Sequence, residues 1–278
     1  MKTDKHKFLS RTILLIVTTF TLTLLSPTAG AFTAQEIMQK VEDRDTGKTA
    51  IAETIMVLVD KKNNRRVRQM KRFDQEFGKD SKSIIFFRSP ADVRNTSFLS
   101  FDWVDEEKDD DSWLYLPALK KVKRIASNDK SGSFMGSDFT YADIAGLNID
   151  DWEYSFNSTS EDAVDGQNVW IITGVPKKSR IEKVTDETGY IKAMLWVRSD
   201  NFMIVKGKFW VKKGRKIKYL TVGDIRLVDG IWTSFEVKMV TTRRGKLEHA
   251  TIFKTGNIVY NKNLDSDVFT TQRMARGI

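Results

Sequence analysis

The feature that most constrains this chain is a long succession of short segments rich in β-branched and aromatic residues, separated by turn-forming or charged stretches. Such segments favour strands, and turns such as DETG, RSDN, LVDG and RRGK supply the Gly, Asn and Asp that hairpins require. Strands joined by short turns pair in antiparallel fashion, so we predict a meander. The predicted strands are Thr49–Val59, Arg65–Phe73, Lys82–Phe87, Thr96–Trp103, Trp113–Leu116, Lys121–Ile125, Trp152–Phe156, Val169–Val175, Ile181–Thr185, Ile191–Val197, Phe202–Val211, Lys216–Val222, Asp224–Leu227, Ile231–Thr241 and Glu248–Asn257.

The alternation within these strands indicates which faces are covered. Between Phe235 and Met239 the odd positions are apolar and the even positions polar, so one face meets solvent. Trp113–Leu116 and Phe202–Val205 contain no polar position, so both of their faces are expected to be covered. We therefore predict a mainly β (α+β) protein with a single curved sheet partly covered by helices. A closed sandwich fits the periodicity nearly as well.

Two helices are predicted. Thr33 is placed to cap a short helix, with Glu36 three residues later completing a capping box. The second helix lies within Ser137–Ala145, with Ser137 or Asp138 as its N-cap.

The N-terminus has the order of a secretory signal peptide. Four basic residues precede the apolar run Ile13–Leu25, and the small-residue stretch SPTAGA follows. We expect cleavage after Ala31, which leaves 32–278 as a single domain; an uncleaved anchor is the alternative. The chain has no cysteine, so neither disulfides nor a lipid-anchored cysteine is available, and a free periplasmic protein is expected. Export also makes nucleic acid an improbable partner for the net charge of +9.

Residues for bond-making chemistry are scarce. Beyond the predicted signal peptide the one histidine is His249, and no G-x-S-x-G, HExxH or phosphate-binding glycine loop occurs. Ser-His-Asp, Cys-His and multi-histidine zinc chemistry are thereby excluded, and no cofactor or metal is expected. Carboxylates are plentiful, and the acidic run Asp105–Asp111 is interpreted as a solvated loop, with weak calcium binding as the alternative. An enzyme acting on lipid or glycan is the third-ranked function.

Aromatic residues and methionines are the more informative part of the composition. The chain has 7 Trp and 9 Met, and all seven tryptophans lie in or beside predicted strands. Flexible thioethers and broad rings suit a pocket for an acyl chain. Core packing explains the same residues without a ligand, and both readings stay open on composition alone.

Specific motifs connect the chain to a known family. LYLPALKKVKRI followed by SGSFMGSDFTYADI, within Leu114–Ile144, resembles the signature of the LolA-like outer-membrane lipoprotein-sorting family. The preceding FFRSPADVRNTSFLSF, Phe86–Phe101, is similar to another segment of that family, and Trp170–Val175 with the strands through Val197 follow in the family's order. The resemblance covers nearly the whole chain after the signal peptide.

This resemblance implies an incomplete antiparallel β-barrel with helices across its mouth, as in LolA and LolB, and an apolar concave cavity for lipid or lipoprotein acyl chains. It also implies a monomeric periplasmic carrier, often accompanying an inner-membrane transporter of the RND/MMPL type. LolA has an arginine inside its cavity, and Arg94 is the candidate for that position here. The competing hypothesis is a non-carrier accessory subunit that docks on a membrane transporter.

The residues expected to carry these roles fall into three sets. The cavity is predicted to be lined by Phe98, Trp113, Tyr115, Met194, Trp196, Phe209, Phe235, Val237 and Met239. Ser131–Ala145 is the predicted lid, hinged at its glycines, with Phe134, Met135, Phe139 and Tyr141 facing the cavity; a fixed plug is the equal alternative. Contact with a partner or with lipid headgroups is assigned to Arg94, Lys120, Lys121, Lys123 and Arg124.

Overall fold

The computed structural model describes residues 32–78, 80–105, 108, 110–265 and 267–278, with the side chains of 158–161 left out. The predicted signal peptide and part of the acidic run, residues 106, 107 and 109, lie outside the described residues. The described strands are β1 Thr49–Asp60, β2 Arg65–Phe77, β3 Asp80–Ser89, β4 Ser97–Asp102, β5 Asp111–Leu116, β6 Lys121–Arg124, β7 Trp152–Val164, β8 Gln167–Pro176, β9 Tyr190–Arg198, β10 Ile204–Val211, β11 Lys216–Val228, β12 Ile231–Arg243 and β13 Lys246–Tyr260.

Four α-helices accompany these strands: α1 Ala34–Glu42, α2 Tyr141–Ala145, α3 Ile181–Thr188 and α4 Thr271–Arg276. The predicted capping box of α1 is confirmed, with the Thr33 hydroxyl accepting from the Glu36 amide and the Glu36 carboxylate accepting from the Thr33 amide. The second helix begins later than predicted, because Thr140 and Asp143 form its capping box.

All 13 described strands belong to one curved antiparallel sheet, in the order β6-β5-β4-β3-β2-β1-β13-β12-β11-β10-β9-β8-β7. The chain starts in the middle at β1, proceeds outward to β6 at one edge, restarts at β7 at the other edge and returns inward to β13 beside β1. The sheet stays open because β6 and β7 are not paired with each other. The predicted incomplete barrel is thereby confirmed.

This topology determines the path of the connection between β6 and β7, residues 125–151, called here the crossing segment. It links opposite edges of the sheet, and its buried side chains pack on the concave, inner face. Phe134 joins residues of β1–β5 in one apolar cluster, and Phe139 joins residues of β7–β12 and α1 in another. The helix predicted within Ser137–Ala145 therefore belongs to the crossing segment, which packs on the inner face of the sheet.

The outer face is covered at one end. Val268, Phe269 and Met274, from the C-terminal segment and α4, pack on Ile84, Phe86 and Leu99 of β3 and β4. The Ser97 hydroxyl also donates to the Met274 carbonyl oxygen at 3.1 Å. A C-terminal cover was not predicted from the sequence.

One predicted strand is wrong. Ile181–Thr185 forms the start of α3, which buries Val184, Thr185 and Thr188 at helical spacing and ends at Gly189 with φ 78°. The β-branched residues of IEKVT suggested a strand, but tertiary burial at i, i+1 and i+4 selected the helix. The two predicted strands Lys216–Val222 and Asp224–Leu227 are joined in β11.

Candidate functional site

A cavity of about 540 Å³ lies on the inner face of the sheet, between β1–β3 and β12–β13. It exists because β1 presents small side chains there: Ala50, Ala52 and Thr54 line it, whereas the next inner-facing residues, Met56 and Leu58, are large and buried. The remaining apolar lining comes from Met70, Ile85, Phe139, Ile144, Ala145, Val237, Phe253 and Ile258.

The cavity has a polar end. Arg72 and Asp74 of β2 line it, and the Arg72 Nε lies 2.8 and 2.9 Å from the two carboxylate oxygens of Asp74. Ser81 and Ser83 of β3 also line the cavity there. The lining is therefore amphipathic, with an apolar body and a polar end.

The crossing segment places aromatic side chains on the inner face, and one of them, Phe139, lines the cavity. Phe134 is fully buried, with its ring centroid 5.5 Å from that of Phe98 and 5.6 Å from that of Tyr141. Phe139 lies at the cavity wall, 4.8 Å from Phe253 between ring centroids. Met135 is half-buried and packs on the same cluster as Phe134. All four predicted lid residues therefore lie on the inner face.

Asp138 attaches the crossing segment to β12 and β13. Its buried carboxylate accepts hydrogen bonds from the hydroxyls of Thr241 and Thr251, the latter at 2.7 Å, and lies 2.7 Å from Nδ1 of His249. The Asp138 amide donates to the Thr251 hydroxyl at 3.0 Å. Because a buried carboxylate is stabilised by several donors, this contact fixes the position of the segment's middle.

A second buried polar group, Asp143 of α2, reaches β9 and β11. The Tyr190 hydroxyl donates to Asp143 at 2.7 Å, and the Lys218 Nζ lies 3.1 Å from the Tyr190 oxygen and 3.8 Å from Asp143. Burial, followed by the charge of Asp143, holds the pKa of Tyr190 well above its ordinary value. Burial also lowers the pKa of Lys218, although Asp143 and Asp138 partly offset this.

A third attachment comes from Arg68 of β2. This arginine is buried on the inner face, and its Nη1 donates to the Met135 carbonyl oxygen at 2.5 Å. Arg94, the residue predicted for the interior, is exposed, and its Nε donates to the Arg88 carbonyl oxygen at 3.2 Å. The arginines on the inner face are thus Arg68 and Arg72 of β2, and the expectation for Arg94 is corrected.

Two positions of the crossing segment, Lys130 and Gly146, lie against the β4–β5 region. Lys130 is 3% exposed and its Nζ donates to the Asp110 carbonyl oxygen at 2.9 Å. Burial, with a further contribution from the neighbouring Asp110, raises the pKa of Asp102 to about 7. A β-carbon on Gly146 would lie 3.4 Å from the Asp102 carboxylate, so the returning chain passes close to it.

Comparisons with other proteins identify the architecture. A family model described as an uncharacterized protein matches residues 79–276. A DUF1329 family protein from Desulfovibrio piger is 30% identical, with a TM-score of 0.77 over 87% of this chain and 97% of that chain. The chain belongs to the DUF1329 family. No match was found among curated proteins.

Two further solved structures share the fold of this chain. A Vibrio parahaemolyticus domain, named as a candidate outer membrane lipoprotein-sorting protein, is 29% identical, with a TM-score of 0.76 over 87% of this chain and 98% of that chain. The LolA superfamily protein NE2245 from Nitrosomonas europaea is 17% identical, with a TM-score of 0.64 over 87% of this chain and 99% of that chain, and shares the fold. The resemblance inferred from the sequence is confirmed.

In the structure of this chain, five of the nine predicted cavity residues lie on the inner face. Val237 lines the cavity, and Phe98, Phe209 and Met239 lie in the buried clusters beside it. Phe235 has the same strand parity as Val237, and its ring lies 4.5 Å from the guanidinium carbon of Arg226. Phe235 is therefore on the inner face but outside the cavity lining.

The other four predicted cavity residues lie on the outer face, which corrects their expected position. Trp113 and Tyr115 pack beneath the C-terminal segment, while Leu114 between them points to the inner face. Met194 and Trp196 are likewise outward, because Ala193, Leu195 and Val197 occupy the inner cluster. Period-2 alternation grouped these residues correctly, but in strands covered on both sides it does not say which group is inside.

Four of the five residues predicted to contact a partner lie at the β6 edge, and the fifth, Arg94, lies between β3 and β4. Lys120, Lys121 and Lys123 are exposed, whereas Arg124 is paired with Asp111 at 2.6 Å. The sequence did not reveal that Arg68, Asp138 and Asp143 attach the crossing segment to the sheet. For the cavity it contains one signal, the alternating small residues Ala50, Ala52 and Thr54 in an otherwise bulky strand.

Within the described residues, no group of three or more His, Cys, Asp and Glu side chains is arranged to hold a metal ion. The helices of the same residues are all too short or too polar to cross a bilayer.

Proposed function

We propose that this DUF1329 protein is a periplasmic carrier that takes up the acyl chains of a lipid or lipoprotein in the inner-face cavity and delivers them towards the outer membrane. The observation that supports this most directly is the apolar cavity of about 540 Å³ beneath the crossing segment. Its volume lies within the range of about 300–1,000 Å³ that ligand sites occupy. Burial of acyl methylene groups, at about 0.8 kcal/mol each, supplies the affinity.

The crossing segment serves as the lid in this proposal. It contributes Phe139, Ile144 and Ala145 to the cavity wall, and three separate polar contacts, through Arg68, Asp138 and Asp143, attach it to the sheet. Cargo entry requires some of these contacts to open. No bond in the cargo is made or broken, and the protein works as a monomer after removal of residues 1–31.

Filling the cavity tests the carrier function. In Ala52→Phe the new ring occupies the space that the acyl chain needs, so delipidated protein should lose binding of a fluorescent fatty-acid probe by tenfold or more. Ala52→Ser, which changes the volume little, is the matched control and should bind as the wild type does. Equal probe binding by a folded Ala52→Phe protein would place the ligand elsewhere and refute the cavity as the site.

Cargo identity is best read from the purified protein. Native mass spectrometry of protein isolated without detergent should show a bound mass in the lipid range that Ala52→Phe lacks.

For the proposed inner-membrane transporter of the RND/MMPL type, the exposed lysines of the β6 edge are the candidate contact. Neutralising Lys120, Lys121 and Lys123 should then reduce co-purification with that transporter without changing probe affinity.

A further inference from the structure

The outer face of the sheet differs between its two ends. Over β3–β6 it is covered by the C-terminal segment, whereas over β9–β13 the strand register leaves a set of lysines and aromatic residues together on one surface. This outer-face patch consists of Lys192, Lys206, Lys208, Trp210, Tyr219, Lys238 and Lys254. The patch is on the opposite side of the sheet from the cavity.

Ring contacts confirm that these residues share a surface. The ammonium groups of Lys192 and Lys208 lie 5.1 and 4.7 Å from the centroid of the Trp210 ring, and Lys208 also lies 5.9 Å from that of Tyr219. Tyr219 is 39% exposed, and Lys206 and Lys254 are exposed. The patch therefore presents aromatic rings and accessible positive charges side by side on the outer face.

The charge of this surface is strongly one-sided. Five lysines belong to the patch, and the carboxylate that the register places among them, Glu236, lies 3.1 Å from Lys254 and neutralises one of them. Neighbouring strands are about 4.8 Å apart, so the lysines of β9 to β13 are spread over roughly 20 Å. A dispersed array of this kind matches a plane of anionic headgroups better than the few carboxylates of one acidic peptide.

The residue types also match a bilayer interface. Trp and Tyr are enriched at the level of lipid headgroups, and basic residues near an anionic leaflet each strengthen attachment. Val57 and Ile252, which the register places in the same row as Lys238 and Lys206, add apolar area that extends the patch across β13 to β1. We propose that this outer face docks the protein reversibly on the surface of an anionic phospholipid bilayer, with the cavity directed away from the lipid.

This docking surface does not depend on the carrier function, and vesicle binding tests it directly. The protein without its predicted signal peptide, residues 32–278, is sedimented with vesicles of phosphatidylcholine alone and with vesicles of equimolar phosphatidylcholine and phosphatidylglycerol. Binding is expected only to the anionic vesicles and should weaken as salt is raised. Each lysine that is neutralised should lower the partition coefficient about fivefold.

The decisive variant combines Lys206→Gln, Lys208→Gln and Lys238→Gln, with an expected loss of about a hundredfold in partitioning. The matched control removes the same charge from the β6 edge through Lys120→Gln, Lys121→Gln and Lys123→Gln and should bind nearly as the wild type does. Thermal unfolding verifies that both variants are folded. The proposal is overturned if the wild type ignores anionic vesicles, which would favour an acidic protein as the partner, or if the control variant loses binding as much as the patch variant.

Discussion

On the inner face, β9 and β10 carry Leu195 and Phe209 in one buried cluster with α1, whereas β1 carries Ala50 and Ala52 beside open space. The two regions share the same sheet, the same strand geometry and the same crossing segment. They differ in the side-chain volume on the strands and in α1, which packs in the cluster of the β9–β10 region, so the small residues of β1 leave a space that α1 does not fill. The same increase in side-chain volume should therefore have opposite effects on stability in the two regions.

The largest effect is expected at Phe134, which lies outside the cavity lining in the buried cluster of β1–β5. Phe134 is fully buried and contacts Phe87, Phe98 and Tyr141, so Phe134→Ala should lower the free energy of unfolding by about 3–5 kcal/mol. Phe139, from the same segment, borders the cavity, and its truncation extends an existing void at a smaller cost. Urea unfolding of both variants measures this difference in the free energy of unfolding. Equal losses would show that Phe134 and Phe139 are equally well packed.

A second effect concerns Asp102, where the crossing segment passes β4 at Gly146. The pKa of Asp102 is raised to about 7, chiefly by burial, above a value of about 3.9 in the unfolded chain. The folded protein therefore binds more protons between these values, so the contribution of Asp102 to stability is fully present below about pH 4 and is lost as the pH rises through about 7, by on the order of 4 kcal/mol. Unfolding measured from pH 4 to 8 should show this decline in the wild type and a flatter profile in Asp102→Asn. An unchanged profile in the variant would assign the decline to other groups.

A matched pair of alanines tests the volume argument most directly. Ala193 of β9 is buried in the packed cluster, and Ala193→Leu should destabilise the protein by about 1–3 kcal/mol through overpacking. Ala52→Leu places the same methyl groups in the cavity and should leave stability nearly unchanged or raise it. The comparison fails if Ala52→Leu is the more costly variant in thermal and urea unfolding.

The sequence allowed much of the fold to be predicted, because local patterns determine strands, turns and the α1 cap. It did not allow the inner and outer faces of Trp113–Leu116 to be distinguished, since both are apolar and the C-terminal segment that covers the outer one lies about 150 residues away. Arg68 was missed for a related reason. Its contact with the Met135 carbonyl oxygen depends on the path of the crossing segment, which only the order of strands in the sheet determines.

The smallest expected effect separates a moving lid from a fixed plug. Thr241 and Thr233 are both buried on β12 and both use their hydroxyls, but Thr241 donates to Asp138 of the crossing segment, whereas Thr233 bonds Ile231 and Tyr260 within the sheet. Thr233→Val should cost about 0.5–1.5 kcal/mol of stability, and Thr241→Val, which removes a hydrogen bond to a buried carboxylate, about 1.5–3 kcal/mol. If cargo leaves by displacement of the segment, Thr241→Val should speed release of a bound fatty-acid probe severalfold while Thr233→Val leaves the release rate unchanged. Stopped-flow dilution measures both rates, and Thr233→Val controls for the loss of a buried threonine hydroxyl on β12, so a faster release in Thr241→Val alone reports the segment's motion. Identical release rates in the two variants would mean that the segment stays in place and that cargo enters through the polar end of the cavity, past Arg72 and Asp74.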